Sequence, residues 1–321
     1  MNLVIGATGQ LGTAVVRKLV QDGRQVRAFV RTASRYQHLE GPGVELAFGD
    51  LRDPASIDAA CEGVETVLAT ASAIAPSPGG GGLRDVDDRG YASLIECCAR
   101  HGVSQFIYAS VQVTPHDRKV PVFRIKRLNE RRLEASGVPY TVFRLAMFAD
   151  VWPAMLGTSL PQRGAEAPFT HRPFWFLRSF RRSTGTMIED KGLATLPGSG
   201  DVPATFITID DAASLMVAAI GNPAAMYQVL DVGGPEILTF GQVAETLGRV
   251  LGRDVRTRNV PPAVFRFLAG VLRPFSPEAS AVMAMNWSAG RGDMQPADPE
   301  QSRQTAAGLG VELTPLREFL E

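Results

Sequence analysis

Lysine is nearly missing from this chain: of 33 Lys+Arg, only Lys18, Lys119, Lys126 and Lys191 are lysines, which leaves 29 arginines. Each lysine therefore stands out against a background that uses arginine for generic positive charge. An excess of charge is missing too, since 33 Asp+Glu bring the formal net charge of the 321 residues to +0. A protein dedicated to a nucleic-acid backbone needs a basic surplus to neutralise phosphates, so that class is excluded. Cysteine is limited to Cys61, Cys97 and Cys98, without a CxxC or Cys/His spacing. The four histidines form no HExxH or HxH pattern. Together these predict reduced thiols, no metal site and a cytoplasmic location. No apolar run reaches the roughly 18 residues of a membrane span. The first strand begins at once and leaves no room for a leader peptide.

What is present is an ordinary folding composition, 45% hydrophobic and 21% charged, long enough for one large or two ordinary domains. The first half alternates short apolar runs with helical spacings. Strands are expected at Asn2–Gly6, Gln25–Val30, Val44–Phe48, Thr66–Thr70, Ser104–Ala109 and Tyr140–Leu145. Helices are expected between them, one long helix over Asp85–His101 and another over Val122–Ser136 included. Such alternation predicts an α/β fold, a doubly wound parallel sheet of the Rossmann kind, over residues 1–150. Residues 151–321 are expected to form a smaller C-terminal substrate-side domain, with segments near 205–235 rejoining the sheet. The tract Pro76–Gly82 reads as a flap beside the site or a plain linker.

Gly6-Ala7-Thr8-Gly9-Gln10-Leu11-Gly12 places GxxGxxG between the first strand and the first helix. There the first glycine allows a tight turn, the second a close approach to a pyrophosphate and the third close helix–strand packing. Phosphate would meet the backbone amides at the helix N-terminus. The second strand ends in Arg31 with Arg35 just behind, and no carboxylate stands there to hold a ribose 2′-hydroxyl. Two guanidinium groups suit a 2′-phosphate, so NADP(H) is expected over NAD(H). Asp50 and Leu51, after the third strand, are placed to meet the adenine, although Asp50 could equally cap a turn. Ala71, Ser72 and Ala73 would line the dinucleotide after the fourth strand. Leu145, Met147 and Phe148 would lie by the nicotinamide.

The ordered motifs GATGQLG, VRAFVR, FGDLRD, DxxGY at Asp87–Tyr91, FIYAS and KRLNERRLEASGVPYTVFR resemble an atypical short-chain dehydrogenase/reductase. The branch most similar is that of the NmrA-like and isoflavone-reductase-like NAD(P)H-binding proteins. The resemblance covers about residues 1–148, more weakly Phe206–Ile220 and Val229–Arg253. It implies an oxidoreductase passing hydride to an apolar carbonyl, enone or quinone, or else a dinucleotide-binding regulator or assembly factor without turnover. It also implies that Lys126 holds the nicotinamide ribose. The tyrosine that the wider family carries four residues before this lysine is replaced by Val122, with Phe123 next. Ser110 matches the start of the family's serine segment. The proton donor is thus open among Lys126, Ser110, His116, water and substrate.

In the second half, Phe169–Arg182 and Ala263–Phe275 mix aromatics with arginine. Each reads as a lid over an apolar substrate, as an amphipathic contact with a membrane or partner, or as an ordinary half-buried helix. Trp152, Met155, Phe174 and Trp175 are the substrate-pocket candidates. The expected partner is a small apolar molecule, with peripheral membrane contact as a further reading and no nucleic acid.

Overall fold

Near-continuous apolar strands separated by crossover segments can pair only in parallel, because each connection returns the chain to the same end of the sheet. A computed structural model, which describes residues 1–75, 79 and 81–321, shows this arrangement. The first half comprises β1 (Asn2–Ile5), α1 (Gln10–Gln21), β2 (Val26–Val30), β3 (Val44–Phe48), α2 (Pro54–Cys61), β4 (Thr66–Ala69), α3 (Tyr91–Arg100), β5 (Gln105–Val111), α4 (Pro121–Ser136) and β6 (Tyr140–Leu145). The strands pair in the order β3-β2-β1-β4-β5-β6, and the strand Gln228–Val232 extends the sheet in parallel beyond β6. The order reverses between β1 and β4, where a doubly wound sheet opens a crevice at its carboxyl edge.

Side chains alternate across each strand, so the two faces collect separate cores. Val4, Leu68, Ile107 and Phe143 face α1 and the helix Ile209–Ala218. Leu3, Ile5, Val67, Phe106, Tyr108 and Val142 face α2, α3 and Leu133 of α4. Cys61, Cys97 and Cys98 are buried free thiols in this second core.

Two elements depart from the expected pattern. The helix expected from Asp85 begins as a seven-residue π-wound segment, Arg84–Gly90, and becomes α-helical only at Tyr91. The wide turn brings Gly90 against the Leu51 carbonyl, where a Cβ would sit 2.7 Å from the oxygen. Segments near 205–235 rejoin the main sheet only through Gln228–Val232. The other strand, Pro203–Ile207, pairs with Met147–Phe148 and Ile237–Thr239 in a small separate sheet. Met147, Ala204, Phe206 and Leu238 of that sheet are drawn into a C-terminal core with Phe240, Val243 and Trp287, while Phe148 and Ile207 join the core on the α1 face. Of the glycine tract, residues 76–78 and 80 lie outside the described residues, and the flap reading with them.

Candidate functional site

The glycine loop is a cradle that a side chain would fill. Gly6 has φ +86°, and a Cβ on it would lie 2.7 Å from the Ala71 nitrogen. A Cβ on Gly12 would collide with the Gly6 carbonyl. The Gly9 N–H donates to that carbonyl at 2.9 Å and closes the turn. α1 then starts without a side-chain cap and without an acidic residue in its first turn. Its first amides and the positive end of its dipole remain for an anion.

A cavity of about 330 Å³ opens at this loop and runs along the strand ends from β2 to β6. Among its lining residues are Gly6, Thr8, Gly9, Gln10, Leu11, Gly12, Arg31, Asp50, Leu51, Ala71, Ser72, Ala73, Lys126, Leu145, Met147 and Phe148. These are the residues expected from sequence to meet a dinucleotide, with one exception. Arg35 lies in an adjoining cleft, beside Arg163, His171 and Arg181, that also includes Arg31 and Arg172.

Arg172 was not foreseen. It follows the short helix Phe169–His171 of the C-terminal half and hangs over the phosphate loop, with a guanidinium nitrogen 3.1 Å from where a Gly9 Cβ would be. Burial, then the nearby Arg31 charge, push its pKa below the usual arginine value. Among the described residues, neither guanidinium has a hydrogen-bond acceptor or carboxylate partner. Two like charges in one partly buried cleft are unfavourable unless an anion lies between them. The segment is fastened by the Phe169 N–H donating to Gln10 Oε1 at 3.0 Å and by an ion pair of Arg17 with Glu166. No local motif announces this arginine, because its partners lie more than 130 residues away in an arginine-rich stretch.

Asp50 spends its carboxylate on Arg52, accepting at 2.9 and 2.8 Å from the guanidinium and at 2.9 Å from the backbone N–H. Burial alone would raise its pKa, but the Arg52 bonds outweigh this and hold it below the ordinary value. The turn-capping reading is therefore the one its side chain fulfils. Its backbone and Leu51 still line the cavity.

At the other end, Lys126 is buried on α4. Its Nζ donates to the Ala109 carbonyl at 2.7 Å and lies 4.6 Å from the Tyr108 ring centroid. An ammonium has three protons, so two remain to serve the cavity. Burial pushes its pKa down to about 8, against the opposing pull of Asp87 and Glu130. Asp87 sits in the π-wound segment, fully enclosed, and accepts from the Ala73 N–H at 2.7 Å. Burial raises its pKa while Lys126 draws it down. Asn129 fixes the turn by donating to the Asp87 carbonyl at 2.7 Å. Asp87 was visible in sequence only as part of the DxxGY motif. Its electrostatic pull on the lysine arises from its place in the π-wound segment, which periodicity did not disclose.

Ser110 and His116 are otherwise engaged. The Ser110 hydroxyl donates to Glu130 Oε1 at 2.5 Å, within an ion cluster that includes Arg127 and Arg144. His116 turns from the cavity to the C-terminal half, with Nδ1 3.0 Å from Asp293 and its ring edge-on to Trp287. Val122 and Phe123 line the cavity beside Lys126, so the wall there is apolar.

Of the substrate candidates, Trp152 lines the cavity. Trp175 is 48% exposed, Phe174 belongs to a separate apolar cluster, and Met155 is outside the cavity wall. Val151, Phe169, Met285 and Met294 stand in their place. The helix carrying Met285 is buried almost all round, which erases the one-sided periodicity that would have singled it out.

Asp58, Cys97 and His101 bring metal-ligand atom types together from α2 and α3, within 4.8 Å of one another. Arg100 already donates to the same Asp58 oxygen at 3.0 Å, and burial pushes the Cys97 thiol up to about 12. The cluster is thus an ion-pair network with a protonated thiol.

Comparison with known proteins sets this geometry in a family. The chain is 36% identical over 146 residues to the photosystem II assembly factor Ycf39 of Cyanophora paradoxa, a match covering 46% of this chain and 45% of that one. The chain thus spans less than half the length of that relative. It is 28% identical over 257 residues to an NAD(P)H azoreductase of Xenophilus azovorans, covering 80% and 76%. In structure it superposes on the NADPH-dependent quinone oxidoreductase QOR2 of Escherichia coli, complexed with NADPH, with a TM-score of 0.73 at 23% identity over 100% and 98% of the two chains. That last likeness is one of fold. The sequence profile of the NmrA-like family matches residues 2–320, and the chain belongs to that family.

Proposed function

We propose that the protein is an NADP(H)-dependent oxidoreductase that passes hydride to an apolar carbonyl, enone or quinone. The observation that carries this reading is the pair Arg31 and Arg172, without anionic partners among the described residues, at one end of a cavity whose other end is apolar. The glycine loop and the α1 amides would hold the pyrophosphate. Arg31 would bind the 2′-phosphate, with Arg35 behind it and Arg172 reaching across the phosphates. Leu51 would flank the adenine, and Leu145, Met147 and Phe148 the nicotinamide. The two free N–H groups of Lys126 would hold the nicotinamide ribose. Bound NADPH supplies a hydride from its C4 and is left as NADP⁺.

The acceptor then needs one proton. Ser110 has committed its hydroxyl to Glu130, and His116 is held at Asp293, so neither is assigned this step. Lys126 is the titratable group lining the nicotinamide end, and burial brings its pKa to about 8, which suits a donor near neutrality. Val122, Phe123, Trp152, Met285 and Met294 offer an apolar surface without a fixed polar partner, which favours a flat, hydrophobic acceptor.

A second reading, a dinucleotide-binding assembly factor without turnover, is favoured by the 36% identity to an assembly factor over 46% of the chain and by Val122 where the family tyrosine would stand. One experiment separates the two. Purified protein is titrated with NADPH and NADH, and oxidation of the reduced nicotinamide is followed with a panel of quinones and enones. We expect NADPH to bind at least on the order of tenfold more tightly than NADH, as one charge-assisted phosphate contact provides, and turnover with at least one acceptor. Tighter binding of NADH would overturn the Arg31 assignment. Tight NADPH binding with no turnover on any acceptor would establish the second reading instead.

A further inference from the structure

The net charge of +0 conceals a local imbalance. Residues 167–188 and 255–277 hold eight arginines and not one Asp or Glu. Both segments end on the same part of the surface. The helix Pro262–Leu272 has no buried residue. Phe265, Ala269 and Leu272 turn inward to the neighbouring apolar clusters. Val264, Phe267, Leu268 and Val271 face out, with Phe275 just beyond, and Phe267 and Phe275 are 69% and 83% exposed. The helix Trp175–Thr184 joins it through a cluster of Phe174, Leu177, Leu272 and Ala279. Trp175, itself 48% exposed, rests edge-on against Phe174 and Phe176 at 6.1 and 5.8 Å. Arg178, Arg182 and Arg273 are exposed in the same two segments as these aromatics.

Single exposed apolar residues are normal, but a contiguous ridge with large aromatics marks a contact surface. We propose that this face docks on an anionic phospholipid bilayer. An amphipathic helix with bulky apolar side chains outward and arginines beside them lies in the membrane interface, where apolar burial and attraction to acidic headgroups add. Trp175 suits that boundary, with a ring to bury and an N–H to keep wet. The contact is peripheral, since no helix of the described residues is long and apolar enough to cross a membrane. A second copy is disfavoured as occupant, because a two-fold contact would set the same unopposed arginines against one another. Position adds a further argument. Ala75 belongs to the cluster beneath the ridge and also lines the cavity, and Phe169 does the same from the lid side. The ridge thus packs on a buried cluster that also contributes to the cavity wall, which sets the docking face beside the site. The docking itself does not depend on turnover.

Flotation of the full chain with vesicles tests the inference. One set is phosphatidylcholine alone and the other contains about a third phosphatidylglycerol, an acidic lipid. We expect binding to the acidic vesicles, weakening with added salt, and little binding to the neutral ones. The double variant Phe267→Ser/Phe275→Ser should bind acidic vesicles on the order of tenfold less or weaker still, from lost apolar burial. Arg182→Glu/Arg273→Glu should lose the preference for acidic lipid. Both keep the cavity intact, so unchanged NADPH affinity and far-ultraviolet circular dichroism report that they fold. Wild-type protein that stays unbound with both vesicle types overturns the inference. So does equal binding of the double Phe variant and wild type, or a dimer that the Phe variant dissolves without any vesicle binding.

Discussion

Arg31 and Arg172 pose a problem that only a ligand solves. Burial and then the field of Arg31 lower the affinity of Arg172 for its proton, a penalty that an anion between the two would relieve. Evolution tolerates such a pair where the bound anion returns more than the repulsion costs. Lys126 is set up differently. Its burial among Tyr108, Val122 and the β5 terminus lowers its affinity for a proton, and Asp87 keeps it from falling further. If it donates the proton, turnover at saturating NADPH must decline as pH rises through about 8, tenfold for each further unit. Lys126→Arg, which stays protonated, should remove that limb at a lower plateau. A wild-type profile that stays flat for a full unit above the same value would return the proton-donor role to water or substrate. The lysine could be picked out from sequence because lysine is so rare here. Its working pKa could not, since that depends on Asp87 and Glu130, brought in by tertiary packing.

At the level of elements, strands and crossovers were legible because their apolar runs are short, separated and bounded by glycine, as at Gly6 and Gly102. The π-winding before α3 was not, since the close approach of Gly90 to Leu51 that it allows is a tertiary contact. The helix Ile209–Ala218 presents a similar case. Its N-terminal Ile209 N–H donates at 2.8 Å to Asp150, a residue after β6 that carries no capping signature at such a distance. Burial, with the Asp210 and Asp211 charges adding, raises the Asp150 pKa to about 6. A raised carboxyl pKa means that the folded state favours the protonated form. The stability it contributes is full below the unfolded value of about 4 and is lost as pH rises through the folded value. Asp150→Asn keeps an oxygen for Ile209 and removes the charge. It should therefore stabilise the protein near neutral pH by about 1–3 kcal/mol and flatten the dependence between the two pKa values. Urea unfolding near pH 5 and pH 7 measures both effects. Lower stability of the variant at neutrality would mean that the carboxylate is favoured there.

At the scale of the whole molecule, a short stretch of the second half lies over the phosphate loop of the first. Residues 166–172 leave the C-terminal half, touch α1 through Gln10 and Arg17, and present Arg172 to the glycine loop. Phe169–Arg182, which overlaps this stretch, reads in sequence as a lid over an apolar substrate, an amphipathic contact or an ordinary half-buried helix. Its foremost contact is instead with the phosphate loop, a distinction that composition cannot make because arginine beside aromatics fits both. A ligand that bridges the loop and Arg172 would hold this segment against the loop, and Arg163, Arg178, Arg181 and Arg182 in and around it are sites for trypsin, whereas the Arg172–Pro173 bond is not. Where reclosing outpaces cleavage, the rate follows the open fraction, which a ligand specific for the closed form lowers by 1 + [L]/Kd. At about 100 times Kd that limit is roughly a hundredfold protection. We expect NADPH to slow cleavage in residues 163–182 by at least on the order of tenfold, and NADH to do less at the same concentration. Arg172→Met should erase most of the protection by NADPH, even at concentrations that saturate the variant, because the loop can then fill without drawing the lid down. Full protection of that variant at saturation would show that the lid closes through Phe169 and Glu166 alone, and that Arg172 serves affinity without coupling the halves.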